Sequence, residues 1–185
     1  MQNFDWHVLK SEYLVQNEWV SLRADTCQMP TGVLIDPYYI LESPSFVNVV
    51  PVTPAGEVVM VRLYRHGSRQ TALETPGGII DAGESPLTTC RRELLEETGY
   101  TSDHLLITGS GYPDPARLDC RAYYGLALDV VPVAAPQREA SEQMEVVLMP
   151  LAEVEQMLMN GRIHDAVHQS SLFYALAHLR SEQAA

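Results

Sequence analysis

Positive charge is scarce in this sequence. Lysine and arginine together number 12 against 24 aspartates and glutamates, so the 185-residue chain carries a formal net charge of −12. Such a chain repels phosphate backbones and anionic lipid surfaces, and we therefore expect neither a nucleic-acid partner nor a membrane partner. An anionic small molecule can bind only where positive charge is supplied locally.

Cysteines and long apolar runs are scarce as well. The three cysteines, Cys27, Cys90 and Cys120, form no C-x-x-C pair, which argues against a zinc site and against a disulfide framework. No run approaches the roughly 18 apolar residues that span a bilayer. Residues 1–10 lack the apolar core of a signal peptide. These absences predict a cytoplasmic protein.

The N-terminal part is rich in β-forming residues. Residues 19–29 and 33–41 have the composition of strands, and Pro30-Thr31-Gly32 between them is a turn signal. A chain of this length fits one domain, or one domain with a small appendage. We therefore predict a small antiparallel β sub-domain over residues 1–45 and a main domain over residues 46–185.

The main domain is predicted to mix strands and helices. Ser85 is a good N-cap, Pro86 suits the first helical position and Gly99 suits the residue after the helix, so a helix should run over 86–98. The other predicted elements are strands at 46–52, 57–64, 105–108, 121–130 and 144–149 and helices at 150–160 and 164–180. This order predicts a mixed sheet flanked by helices in three layers, of α+β or α/β class.

The helix over 86–98 carries the strongest functional signal. At 100° per residue, one arc of this helix collects three carboxylates, Glu93, Glu96 and Glu97. Glu93 and Glu97 are an i,i+4 like-charge pair that costs about 0.2–0.5 kcal/mol, and the helix dipole opposes acids near the C-terminus. The opposite, buried stripe is predicted to comprise Leu87, Cys90, Leu94 and Thr98. The acidic arc is either a solvated face or a site for a divalent cation, whose charge offsets the repulsion.

Two histidines near the last helix also invite a metal-site interpretation. His164 and His168 are spaced i,i+4, but no glutamate follows His164 directly and no third ligand is evident. We therefore predict that both histidines are surface residues.

The residues around the acidic helix resemble the Nudix box. Residues 78–84, then seven residues, then residues 92–100 follow the family pattern G-x5-E-x7-R-E-U-x-E-E-x-G-U, in which U is a bulky apolar residue. Every fixed position matches, and the last U is Tyr100. The resemblance favours the cation site over the solvated face. It implies an α/β/α sandwich and metal-dependent hydrolysis of a nucleoside diphosphate linked to another moiety.

The resemblance also implies roles for residues of the box. The metal ligands would be Glu93, Glu96, Glu97 and the backbone carbonyl of Gly77, with Mg²⁺ as the expected ion and Mn²⁺ as a substitute. Arg92 would orient a glutamate by ion pairing, and with Glu93 and Glu97 it belongs to the expected catalytic set.

Other segments are similar to the ADP-ribose and ADP-sugar pyrophosphatase branch. Pro115 lies fifteen residues past Tyr100, as in that branch, although Ala116 and Cys120 depart from its usual residues. Residues 62–66 and 74–78 look like its Q-Y-R and E-x-P-A-G segments, so Arg65 and Glu74 become candidate substrate-binding residues. Phe46 is a candidate to contact adenine, although a buried strand aromatic is the competing interpretation.

The catalytic base of this branch comes from a late loop. Residues 138–146 fit that loop, and Glu142 is our first candidate, with Glu139 second and a plain solvated acidic loop as the alternative. The sub-domain over 1–45 resembles the sheet through which these enzymes form homodimers. The expected reaction is the hydrolysis of ADP-ribose or an ADP-sugar, small nucleotide substrates, to AMP and a sugar phosphate. Other nucleotides (GDP-mannose, dinucleotides, triphosphates) and a non-catalytic nucleotide-sensing module stay open.

Overall fold

The computed structural model describes residues 3–138 and 143–183. The chain divides into two units, the first made of Met1–Pro44 and Tyr112–Arg121 and the second of Ser45–Gly111 and Ala122–Ala185. No sequence pattern indicated that the segment 112–121 belongs with the N-terminal part.

The first unit is a three-stranded antiparallel sheet. Its strands are β1 (His7–Gln16), β2 (Ser21–Gln28) and β3 (Leu34–Glu42), in the order β1-β2-β3. The N–H of Leu41 donates to the carbonyl oxygen of Arg117 at 2.8 Å, which ties the segment 112–121 to β3. β1 forms one edge of this sheet and is exposed along its whole length.

The second unit is built on a mixed sheet. The strands of this unit are β4 (Phe46–Val52), β5 (Glu57–Arg65), β6 (Gln70–Glu74), β7 (Gly77–Ile79), β8 (Tyr100–Thr101), β9 (His104–Gly111), β10 (Ala122–Leu128), β11 (Val131–Pro132) and β12 (Met144–Pro150). The order of strands in the mixed sheet is β12-β5-β4-β10-β9, with β6 paired to β5 and β7 paired to β4. The helices are α1 (Pro86–Thr98), α2 (Leu151–Met159) and α3 (Ala166–Gln183).

Two apolar clusters cover the two faces of the sheet. β4 and β10 run parallel at its centre, and successive valines of β4 point to opposite faces, as strand geometry requires. Val50 packs in the cluster that contains Leu172 of α3, and Val49 packs in the cluster that contains Leu94 of α1. The fold is therefore the predicted α+β sandwich, with a mixed sheet between helices. No helix in residues 3–138 and 143–183 is long and apolar enough to cross a bilayer.

α1 begins and ends where its capping residues predicted. The Oγ of Ser85 accepts the N–H of Thr88 at 3.2 Å, and Gly99 at the C-terminus adopts a φ of 78°, a left-handed conformation that suits glycine. The predicted buried stripe is wrong at one position, because Leu87 is 39% exposed. Thr89 is fully buried instead, and its hydroxyl donates to Glu84 at 2.8 Å. Thr89 lies on the same side of α1 as Glu93, Glu96 and Glu97, so the N-terminal part of that side is buried.

β6 and β7 are strands that the sequence did not predict. The run Thr75-Pro76-Gly77-Gly78 looks like a break in regular structure when only neighbouring residues are considered. Pairing with β4 makes it a strand, since Asn48 lies opposite Gly77 and Val47 opposite Gly78. This pairing brings the two glycines next to α1.

Candidate metal centre

Two carboxylates of α1 converge on the backbone of β7. The N–H of Gly77 donates to Oε2 of Glu97 at 3.0 Å. A Cβ placed on Gly78 would lie 2.2 Å from Oε1 of Glu93, and a Cβ on Gly77 would lie 2.2 Å from the carbonyl oxygen of Val47. Glycine is therefore needed at both positions, because only bare backbone fits between α1 and β4.

Arg92 links the acids of the box. It donates to Glu84 (Nη2–Oε2, 3.0 Å), to Glu93 (Nη1–Oε1, 2.8 Å) and to Glu96 (Nη1–Oε2, 3.1 Å). It also donates to the carbonyl oxygen of Ile79 at 3.1 Å. Hydrogen bonding to Glu84, opposed in part by burial, raises the pKa of Arg92, and the same contact lowers the pKa of Glu84. The guanidinium thus supplies local positive charge in a strongly acidic protein and aligns two candidate ligands.

The donor set fits a hard divalent cation. Glu93, Glu96 and Glu97 offer carboxylate oxygens within one and a half turns of helix, and β7 adds the backbone carbonyl of Gly77. Oxygen ligands of this kind suit Mg²⁺, which takes few protein carboxylates and keeps several waters. Within residues 3–138 and 143–183, no three His, Cys, Asp or Glu side chains are already gathered as a ligand cluster. Arg92 bonds to both Glu93 and Glu96, and it holds the acids in place by charge.

Arg65 and Glu74 form a second charged pair beside this site. Glu74 is 2% exposed, and Arg65 donates to it through Nε at 3.1 Å and Nη2 at 2.7 Å. Burial alone would raise the pKa of Glu74, but hydrogen bonds from His168 and Arg65 lower it to about 2. The Arg65 side chain is 56% exposed and lines, with Glu74, a cavity of about 310 Å³. The exposed part of Arg65 can therefore contact a ligand while Glu74 holds the guanidinium in place.

The prediction of a surface position is wrong for His168, although His164 is exposed. His168 is 6% exposed, and its ring meets Glu74 (Nε2–Oε2, 3.1 Å), the N–H of Thr75 (3.2 Å) and the amide of Asn48 (3.2 Å). These partners compensate for the burial of a polar ring.

A signal for this burial was present in the sequence. His168 precedes Leu172 by four residues and Ala175 by seven, so it shares the apolar face of its helix.

Two candidate substrate residues lie in different units. Phe46, half-buried, begins β4 and pairs with Ile79 of β7. Pro115 is exposed in the first unit, next to a turn in which the N–H of Leu118 donates to the carbonyl oxygen of Asp114 at 2.7 Å.

The candidate bases Glu142 and Glu139 lie outside the described residues. The residues that flank them are anchored by Arg138, which sequence reasoning missed. Its Nε donates to the carbonyl oxygen of Glu97 at 2.9 Å, and its Nη1 donates to that of Met144 at 2.5 Å. Arg138 and Met144 thus lie beside the C-terminal end of α1, which carries Glu97.

Comparisons with known proteins agree with this geometry. Residues 43–169 match the NUDIX domain, and residues 6–41 match the nucleoside diphosphate sugar hydrolase N-terminal domain. The chain is 27% identical to an ADP-ribose pyrophosphatase of Bacillus subtilis (strain 168) over 186 residues, covering 100% of this chain and 97% of that protein. It is 30% identical to a methanol dehydrogenase activator of Bacillus methanolicus over 182 residues, covering 95% of this chain and 97% of that protein.

The fold has a solved counterpart. The crystal structure of an ADP compounds hydrolase superposes with a TM-score of 0.87 at 22% identity and covers 98% of both chains. Nudix hydrolases generally use divalent metal ions, which agrees with the oxygen-rich donor set on α1 and β7. With a family domain matched over most of its length and its box folded around two glycines, the chain belongs to the Nudix hydrolase family.

Proposed function

We propose that this protein is a Mg²⁺-dependent pyrophosphatase that hydrolyses ADP-ribose or an ADP-sugar to AMP and a sugar phosphate. The observation that carries the proposal is the convergence of Glu93 and Glu97 on Gly77-Gly78 within a complete Nudix box. The match of residues 6–41 to a nucleoside diphosphate sugar hydrolase domain supports the substrate class. So does the full-length similarity to an ADP-ribose pyrophosphatase.

Glu93, Glu96, Glu97 and the carbonyl oxygen of Gly77 would hold the Mg²⁺, and Mn²⁺ would replace it. When bound, the ion would polarise the pyrophosphate and lower the pKa of a coordinated water. Arg92 keeps Glu93 and Glu96 aligned through its hydrogen bonds to both. Its charge also reduces the repulsion among the acids.

The remaining residues would bind the substrate and accept a proton. Arg65 donates to a phosphate oxygen from its exposed side, while Glu74 holds the opposite edge of the guanidinium. Phe46 and Pro115 would contact the nucleotide. Water oxygen attacks one phosphorus, the bridging P–O bond breaks, and the water proton passes to Glu142, with Glu139 as the second candidate.

Assembly and location complete the proposal. β1 is an exposed edge strand that carries several large apolar side chains, which include Val8, Leu9, Tyr13 and Leu14. Exposed apolar strands of this kind are association sites. We infer a homodimer formed through residues 1–45, in the cytoplasm.

A substrate panel tests the activity. The protein is incubated with Mg²⁺ and ADP-ribose, ADP-glucose, GDP-mannose, NADH or nucleoside triphosphates, and phosphate is measured after coupling to a phosphatase. We expect the highest kcat/KM with ADP-ribose or ADP-glucose. A preference for GDP-mannose or a triphosphate would contradict the substrate class, and turnover of none would favour a sensing module.

One variant separates the metal-dependent chemistry from folding. Glu97→Gln removes a ligand charge and should lower kcat by about 10²-fold or more with little change in thermal stability. The matched control is Glu153→Gln, which changes an exposed acid of α2. Unchanged hydrolysis by Glu97→Gln would contradict the proposed role of this carboxylate.

A further inference from the structure

The buried His168 takes part in none of the steps above. It contacts Glu74 and Thr75, the first two residues of the segment 74–78 that ends in Gly77-Gly78. Its helix, α3, packs on the sheet face opposite α1. The ring therefore reaches the ligand-bearing segment from the far side of the sheet.

The neighbours of His168 define which ring nitrogen carries the proton. The backbone N–H of Thr75 lies 3.2 Å from Nδ1, and because an amide N–H can only donate, Nδ1 must accept. The carboxylate of Glu74 lies 3.1 Å from Nε2, and because an ionised carboxylate can only accept, Nε2 must donate. Both contacts are satisfied only when the proton is on Nε2. The hydroxyl of Thr75, 2.9 Å from Nδ1, adds a second contact to the same residue.

The same ring also contacts the strand next to β7. The side-chain amide nitrogen of Asn48 lies 3.2 Å from Nδ1 of His168, and Asn48 is the β4 residue opposite Gly77. The carbonyl oxygen of Pro76 accepts the N–H of Val49 at 2.8 Å. His168 thus holds the residue before Pro76 and the strand partner of Gly77 together.

We propose that His168 is a positioning residue of the metal site, which fixes Thr75 and Asn48 and through them the direction of the Gly77 carbonyl oxygen. The inference rests on the proposed function, because it takes Gly77 as a metal ligand. Only Pro76 separates Thr75 from Gly77, so a rotation of the Thr75 peptide is transmitted to that carbonyl. Residues that orient metal ligands typically change metal affinity or activity about 10- to 100-fold when they are replaced.

Two variants of His168 and one control test this role. His168→Leu removes all hydrogen bonds of the ring, whereas His168→Gln keeps an acceptor and a donor on a side chain of similar reach. His178→Leu is the control, since it replaces a histidine of the same helix whose contact is a surface pair with Glu182 at 3.4 Å. Mn²⁺ affinity is measured by electron paramagnetic resonance without nucleotide, alongside kcat, KM and thermal unfolding.

We expect His168→Leu to weaken Mn²⁺ binding about 10- to 100-fold and to lower kcat more than it changes KM. His168→Gln should retain most of the Mn²⁺ affinity and most of the kcat of the wild type. His178→Leu should match the wild type in both. In the wild-type protein, the ¹⁵N spectrum of the imidazole should show the proton of His168 on Nε2.

A purely structural role gives a different result. Folded His168→Leu that binds Mn²⁺ as the wild type does, even with a lower melting temperature, would overturn the inference. If that variant does not fold, a proton on Nδ1 in the wild type, or Mn²⁺ binding by His168→Gln no better than by Glu97→Gln, would overturn it. Failure of the proposed function would give another result: the wild type would hydrolyse no nucleotide, while the Mn²⁺ affinities of the wild type and the variants could still be compared.

Discussion

At the scale of single residues, the site depends on two glycines with different neighbours. The space beside Gly77 is closed by the carbonyl oxygen of Val47, which belongs to the sheet backbone and cannot move aside. The space beside Gly78 is closed by the carboxylate of Glu93, the end of a flexible side chain. Replacement by alanine should therefore affect folding at the first position and ligand geometry at the second.

We predict that Gly78→Ala lowers kcat/KM by about 10²-fold with a small change in stability, because it displaces Glu93. Gly77→Ala should instead lower the free energy of unfolding by about 1–3 kcal/mol, since backbone must shift. Urea denaturation and steady-state kinetics measure the two effects. Gly67→Ala, where no atom lies within 4 Å of the added Cβ, is the control. Equal stability losses at Gly77 and Gly78 would show that the Glu93 side chain cannot move.

At the scale of elements, Glu74 connects three of them. It ends β6, bonds to Arg65 of β5 and contacts His168 of α3. Its pKa is lowered from 4.5 to about 2, so the ionised carboxylate stabilises the folded state above about pH 4.5. That contribution is lost as the pH falls toward 2.

We predict that Glu74→Gln lowers the free energy of unfolding at pH 7 by at most about 3 kcal/mol, and by less at pH 3, where the wild type has lost part of the same contribution. Urea denaturation at both pH values measures the difference. Glu145→Gln is the control, because its pair with Arg62 is exposed and should contribute less than about 1 kcal/mol. If Glu74→Gln lowered the free energy of unfolding by the same amount at pH 7 and at pH 3, the lowered pKa of Glu74 would be contradicted.

Local signals were sufficient to predict some elements. Ser85 and Gly99 determine the ends of α1 through contacts within a few residues, and the i,i+4 spacing of Glu93 and Glu97 places both on one side of any helix. The acidic arc and its family pattern could therefore be predicted from the sequence.

Features that depend on distant pairing could not be predicted in this way. β7 is a strand because Val47 and Asn48 lie beside it, thirty residues earlier in the chain. Thr89 is buried, and its hydroxyl is satisfied by Glu84. His168 is buried because partners more than ninety residues away satisfy its ring.

At the scale of the whole molecule, the first unit supports the prediction of a dimer. Leu14 of β1 is 50% exposed, and Phe173 of α3, in the second unit, is 63% exposed. If β1 forms the interface, Leu14→Lys should convert a dimer into a monomer at micromolar concentration, as measured by light scattering after gel filtration. Phe173→Lys is the matched control and should stay dimeric. A monomeric wild type, or dissociation only by Phe173→Lys, would contradict this assignment.

The protein carries 12 excess negative charges and its proposed substrate is an anion, so the proposed cation would reduce the repulsion between them. The most direct measurement is the anomalous diffraction of crystals grown with Mn²⁺. We predict a peak bounded by the carboxylates of Glu93 and Glu97 and by the carbonyl oxygen of Gly77. Well-ordered crystals with no peak there, and with Glu93 and Glu96 still bonded to Arg92, would contradict it.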